Sequence, residues 1–410
     1  MDMRASPPPA NPIRACRTCT RAGDICNGEV VTVTTVPARE AFVRCAPLTG
    51  SASSAEQVAK CYDCLPRIMS EHGFSMSQIV LERVFFRDVQ ADFELLGQIR
   101  RDAYRRFGVQ GDALPAASYV EQPPCRPEQA FEMQLYAVAP HGNAPVRVQS
   151  FPASEQGAMA KLVEINGYRH LYVTNIHGRS LSRDPRVAFR EQSDSMFEAA
   201  AELLRGHGAV FPQVLRTWCY LDNIDRDYDA FNASRNAFFA QHQVQRLPAS
   251  TGIRSGLYPH GTLCAMDLYA LLNPENAVAE VMHTPTLNEA NEYGSSFSRG
   301  MKLVLPEKTV LFISGTASVD ERGETVHIDD VRRQVDRMLL NIRELFRPHG
   351  ASFADVVQVI TYLKWRDELD LFLKVWEEWG LAGLPNTFVE AGVCRPNLLC
   401  EMEAIAVRPS

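Results

Sequence analysis

No apolar stretch in this chain reaches the roughly 18 residues that a membrane-spanning helix needs, and no long run of one charge occurs. The first absence argues against helical membrane insertion. The second, with a net charge of −7, argues against nucleic acid as the main partner, because backbone binding wants a basic face. The opening segment MDMRASPPPANP lacks the apolar region of a secretory signal. It predicts a disordered, cysteine-containing leader over residues 1–29 and the cytoplasm as compartment, where the eleven cysteines stay thiols. Cys16-x-x-Cys19 and Cys61-x-x-Cys64 have zinc-like spacing. The second pair falls in a helix where packing explains it; Cys16, Cys19 and Cys26 have no repeat counterpart and leave a structural metal as the lesser reading, so no metal and no cofactor are expected.

What the chain does have is internal repetition. Glu56 to Gly73, Glu191 to Gly208 and Arg332 to Gly350 are helix-like runs that each end on His-Gly. An apolar alternating stretch follows each, then a second helix-like run and a Leu-Pro pair at Leu114-Pro115, Leu247-Pro248 and Leu384-Pro385. Each copy closes on a related tail: MQLYAVA from Met133, MDLYALL from Met266 and CEMEAIA from Cys400. The repeat predicts units at 30–140, 150–273 and 280–408.

Within a unit, Met338, Leu339, Ile342 and Leu345 show the 3.6-residue period of a helix. The glycine after the last turn suits a left-handed cap, and the preceding histidines 72, 207 and 349 suit the negative end of the helix dipole. Val356, Val357, Val359, Ile360 and Tyr362 have strand composition. The expected order is ββαβαβ, an α+β unit with both helices on one face of a mixed sheet. The open face needs cover, and three units supply it by closing around a three-fold axis. The expected fold is therefore an intrachain pseudo-trimer, monomeric or paired into a dimer, with clefts between neighbouring units.

These residues resemble the Rid (YjgF/YER057c/UK114) superfamily, most clearly through LFISGTAS at Leu311 to Ser318, GASFADVVQVITYL at Gly350 to Leu363 and CEMEAIAV at Cys400 to Val407. In that family active sites lie at subunit interfaces. The deaminase branch carries a carboxylate-gripping arginine after the Pro of its last loop; here the aligned positions are Ala117, Ser250 and Thr387. A narrower resemblance is to the chorismatases, which fuse Rid-like units. It rests on EYGSSFSRG at Glu292 to Gly300, SGTASV at Ser314 to Val319, RTWCYLDNI at Arg216 to Ile224, YDAFNASR at Tyr228 to Arg235 and LPASTGI at Leu247 to Ile253. It implies a hydrolase that releases pyruvate from chorismate or a similar small carboxylate metabolite. After SGTAS the family usually runs on to Gly-His, whereas this chain has Asp320-Glu321-Arg322-Gly323. An imine or enamine deaminase and a non-catalytic metabolite- or protein-binding homologue are the alternatives.

Strand alternation aims Glu401 and Glu403 at one face, and the tails align Gln134, Asp267 and Glu401. A carboxyl group in a partly dry cleft keeps its proton to higher pH and can donate it, which makes Glu401 the expected catalytic acid. Arg299 is expected to hold a substrate carboxylate in bidentate fashion. Tyr228, Arg235, Ser250, Thr251, Gly252, Arg254 and Glu403 complete the expected binding set. Cys394, in a Cys-Arg-Pro segment shared with Cys125, reads as part of a structural turn.

Overall fold

The computed structural model describes residues 14–22, 26–48, 53–142, 145–152, 158–275 and 277–409. The first unit supplies β1 (Arg14–Ala22), β2 (Cys26–Thr34), β3 (Ala38–Pro47), α1 (Ser54–Glu71), β4 (Ile79–Phe86), α2 (Val89–Arg105), β5 (Ala116–Glu121) and β6 (Phe131–Pro140). The second repeats the order with β7 (Val146–Pro152), β8 (Met159–Ile165), β9 (Tyr168–His177), α3 (Pro185–Gly206), β10 (Val214–Leu221), α4 (Ile224–Gln241), β11 (Ala249–Arg254) and β12 (Cys264–Leu271). The third has β13 (Val278–Val281), β14 (Gly300–Val304), β15 (Thr309–Ala317), α5 (Val331–Phe346), β16 (Val356–Leu363), α6 (Leu369–Glu378), β17 (Asn386–Glu390) and β18 (Cys400–Arg408). All three sheets share one spatial order, β1-β2-β3-β6-β4-β5 and its two equivalents. Among the described residues, the parallel strand pairs are β4–β5, β10–β11 and β16–β17.

Each sheet thus has six strands where the repeat predicts four. The additional members lie at the sheet edges, where a strand needs no full apolar alternation. The expected leader is also corrected. Residues 1–13 lie outside the described ones, but Arg14–Ala22 pairs along its length with Cys26–Thr34. Thr-Val alternation in VVTVTT gives β2 strand character, and its free edge recruits β1.

Gly73, Gly208 and Gly350 adopt φ of 73°, 72° and 63°, the left-handed conformation that glycine reaches without a Cβ clash. The histidines before them do not serve as cations. Burial lowers the pKa of His72, His207 and His349 below the usual histidine value, so the dipole reading gives way to neutral, half-buried rings.

The helices cover the outer faces. Val58, Leu65, Ile68 and Met69 of α1 anchor one core; Phe189, Met196, Phe197 and Leu204 of α3 anchor another. The inner faces meet in a shared core that takes Phe42 and Tyr136 from the first unit, Trp218 and Tyr269 from the second and Phe312 from the third. One isolated backbone bridge spans each interface: Glu121 with Gly256, Ala249 with Ser298, and Pro124 with Val389. Three mixed sheets therefore close into one ring.

A β-bulge recurs between Ile79 and Leu81, Val214 and Arg216, and Val356 and Gln358. It fixes the register of the closing strands. Arg83 faces Gln134, Trp218 faces Asp267, and Ile360 faces Glu403. The structural equivalents are therefore Gln134, Asp267 and Glu403, not Glu401. Counting in the same register, the counterparts of Glu401 are Glu132 and Ala265.

Candidate active site

The second and third units enclose a cleft lined by Tyr228, Arg235, Ser250 and Gly252 from one side and Phe297, Arg299, Gly315, Cys394, Arg395 and Glu401 from the other. Helix α4 supplies Tyr228 and Arg235, seven residues apart on one helix face. Strand β11 supplies Ser250 and Gly252, and β18 supplies Glu401. Six of the nine residues expected from sequence meet here. Thr251, Glu403 and Arg254 do not.

Glu401 is 4% exposed, opposite Tyr362 on one side and Ala317 on the other. Burial, reinforced by the neighbouring negative charge of Glu403, raises its pKa to about 8; Arg216, Arg299 and Arg395 oppose this only in part. The carboxyl group is thus neutral over most of the physiological range. Its space depends on Gly315: a Cβ there would stand 1.9 Å from Glu401 Oε1 and 3.1 Å from Thr251 Cγ2. The Gly315 N–H donates to Thr251 Oγ1 at 3.0 Å, so Thr251 positions the strand facing the acid without lining the cleft.

Three guanidinium groups surround the same space. Arg235 is 3% exposed. It donates to Asn232 Oδ1 at 2.6 Å and leaves Nε without a hydrogen-bond partner. Arg299 donates to the carbonyl and side-chain oxygens of Asn288 at 2.8 and 3.0 Å. Phe297 lies between them, with its ring centre 5.4 Å from the Arg235 guanidinium carbon and 5.6 Å from that of Arg299. Arg395 donates to the Gly323 carbonyl at 2.6 Å.

The segment Asp320–Gly323, which departs from the usual Gly-His, holds Arg395 directly and packs against Asn288, the partner of Arg299. Asp320 Oδ1 accepts from the backbone N–H groups of Arg322 and Glu324 at 3.0 and 2.9 Å, closing a turn. Gly323 has φ of 82°, and a Cβ there would meet Asn288 Nδ2 at 2.5 Å. Gly323 therefore supports Asn288, the anchor of Arg299, and supplies the anchor of Arg395.

Glu403 was expected in the binding set and is instead committed to the ring axis. It accepts from Arg216 at 2.8 Å, from the Trp218 indole at 2.7 Å and from Arg83 at 3.4 Å. Arg254 is exposed and packs its side chain near Gly392: it shares the phase of Ser250 and Gly252 but is the last residue of β11, past the cleft. Sequence reasoning missed Arg395, Phe297 and Gly315, and read Cys394, which lines the cleft, as part of a structural turn. The Cys-Arg-Pro repeat was a usable signal for Arg395, but recurrence made it look purely structural. Burial pushes the Cys394 thiol up to about 12, so it stands as a neutral thiol. Among the described residues no group of three or more His, Cys, Asp or Glu could hold a metal ion.

The other two interfaces lack this set. Between the first and second units, Phe93 stacks on Tyr258 at 3.9 Å, Arg100 is held by the buried Glu82, and the acid position is Ala265. Between the third and first, Glu132 stands at the acid position but is paired with Arg44 at 2.5 Å.

The family model for Endoribonuclease L-PSP matches residues 292–408. A RutC family protein of Pyrococcus abyssi is 34% identical over 100 residues, 24% of this chain and 78% of that protein. The chain belongs to this Rid superfamily. A chorismatase of Streptomyces hygroscopicus is 28% identical over 242 residues, 53% of this chain and 67% of that protein. A crystal structure of chorismatase superposes with a TM-score of 0.58 at 21% identity, covering 80% of this chain and 93% of that one. Within the superfamily this is a chorismatase-like member, with three Rid-like units in tandem.

Proposed function

We propose that the cleft between the second and third units is the active site of a hydrolase acting on chorismate or a closely similar enol-ether carboxylate. One observation carries this reading: a buried carboxyl group with its pKa raised to about 8 shares a small cavity with Arg235, Arg299 and Arg395. The three arginines supply charge and donors for carboxylate groups. Tyr228 and Ser250 offer hydroxyl groups to the substrate ring.

In the proposed reaction, neutral Glu401 donates its proton to the terminal methylene carbon of the enol ether. The resulting oxocarbenium carbon takes up water, which loses a proton to the Glu401 carboxylate. The hemiketal then collapses, its C–O bond breaks, and pyruvate leaves with the ring hydroxyl restored. The raised pKa suits both proton steps, since an acid near ambient pH gives and regains its proton readily. The test is pyruvate release from chorismate by the intact chain and by Glu401→Gln. Release by the parent chain and a loss of about a hundredfold to ten-thousandfold in the variant are expected. No release by the parent chain would overturn the substrate assignment.

A further inference from the structure

A second cavity, about 110 Å³ in volume, lies on the ring axis away from the catalytic cleft. All three units line it. Its wall is a chain of aromatic rings that runs from Phe42 to Tyr136 at 5.3 Å, to Tyr172 at 5.7 Å, to Tyr269 at 4.9 Å and to Phe312 at 5.3 Å. A water needs roughly 10–15 Å³ of such space, so the cavity has room for several waters or one small ring.

Apolar walls alone would make this a dry void. It is not wholly apolar. Gln134 Oε1, Thr174 Oγ1, Arg83 Nε and His170 Nε2 are buried without a hydrogen-bond partner, and all four residues line the cavity. Gln134, Thr174 and His170 are 3%, 6% and 4% exposed. Leaving such groups unsatisfied forfeits the hydrogen bonds that water would give them. Arg83 and Gln134 sit opposite one another on paired strands, close to Asp267. His170, Tyr172 and Thr174 alternate along β9 and share its inner face. Four residues at about 3.3 Å each separate His170 from Thr174 by about 13 Å, so unpaired polar atoms stand at both ends of the aromatic wall.

The charged groups of the lining are already matched. Lys308 is paired with Glu40, Glu82 with Arg100, and Arg83 lies 3.9 Å from Asp267 and 3.4 Å from Glu403. His170 is neutral, since burial and the nearby Lys308 lower its pKa to about 3. A bound ion would leave an unmatched charge in a desolvated space.

We propose that this axial cavity is a binding site for a neutral single-ring aromatic molecule with a hydrogen-bonding substituent at each end. The ring lies against Tyr136, Tyr172 and Tyr269. One substituent meets Gln134, Arg83 and Thr174, and the other meets His170. The site is independent of the proposed hydrolysis.

The probe is 4-hydroxybenzamide, with p-xylene as the counterpart of similar shape that cannot hydrogen-bond. Both are titrated calorimetrically against the full chain after long incubation, because entry needs local opening. One 4-hydroxybenzamide should bind per chain, unchanged in Arg235→Gln and weakened at least tenfold in Thr174→Val; p-xylene should bind at least tenfold more weakly. Should Thr174→Val fail to fold, His170→Phe tests the other end with the same expectation. Absence of binding would mean that water alone occupies the cavity and would overturn the proposal. Binding lost in Arg235→Gln but kept in Thr174→Val would overturn it too, by moving the molecule to the catalytic cleft.

Discussion

Arg216 of the second unit donates to Glu403 of the third at 2.8 Å, with both side chains buried. The Trp218 indole and Arg83 of the first unit reach the same carboxylate. All three units thus converge on one acid at the ring axis. Glu401 stands two residues away on the same strand, where burial outweighs the attraction of the arginines. One strand therefore presents an acid ion-paired at the axis and, two residues away, an acid that burial keeps neutral.

Removing one member of the axial pair leaves a buried charge uncompensated, which typically costs about 3–5 kcal/mol. Arg216→Met should therefore lower stability by that amount in urea titration. Arg216→Met combined with Glu403→Gln should recover part of the loss. If the single change is silent, the pair does not fasten the interface.

Glu401 also makes stability depend on pH, with a sign opposite to that of an ion-paired acid. Its folded pKa is raised from 4.5 to about 8, so between those values the folded state holds a proton that the unfolded state has released. The contribution is full above the folded value and unfavourable. Glu401→Gln should therefore gain thermal stability over the parent chain as pH rises from 5 to 8, and the gain should level off beyond. Equal Tm differences at pH 5 and pH 9 would contradict the raised value.

The same value sets the rate profile of the proposed hydrolysis. Turnover should hold below about pH 8 and fall above it as Glu401 loses its proton. Gly315→Ala should abolish turnover while the chain stays folded, since the added methyl meets the Glu401 carboxyl group. Circular dichroism beside a pyruvate assay separates the two effects.

Arg235 and Arg299 are expected to act on binding. Arg235→Ala and Arg299→Ala should each raise KM more than they lower kcat. Substrate stoichiometry should be near one per chain, because the Phe93–Tyr258 stack and the Glu132–Arg44 pair occupy the other clefts. Calorimetry giving three sites per chain would refute this.

Much of this was legible in the sequence because glycine caps, helix period and strand alternation are local signals. The His-Gly pairs mark the ends of α1 and α3 and the turn after α5, and the two-residue period aims Glu401 inward. Register was not legible. The bulges at Ile79, Val214 and Val356 shift the pairing, and tail alignment alone matched Glu401 with Gln134 and Asp267. Fate after burial was equally hidden. Glu401 and Glu403 share a face and a residue type, and only long-range partners such as Arg216, 187 residues from Glu403, separate the ion-paired acid from the neutral one. Arg395 escaped notice for the same reason, since its value comes from Gly323, 72 residues away.

The position of Glu401 is taken by Ala265 in the second unit and by Glu132 in the first. In an assembly of identical subunits, each codon is read into every interface, so no single site can be altered alone. Here the three interfaces are encoded separately. A substitution at Ala265 or Tyr258 touches one seam of the ring and leaves the Glu401 cleft as it is. The chain can therefore be redesigned one interface at a time, and a second cleft bearing a carboxyl group could be built at Ala265 without disturbing the first.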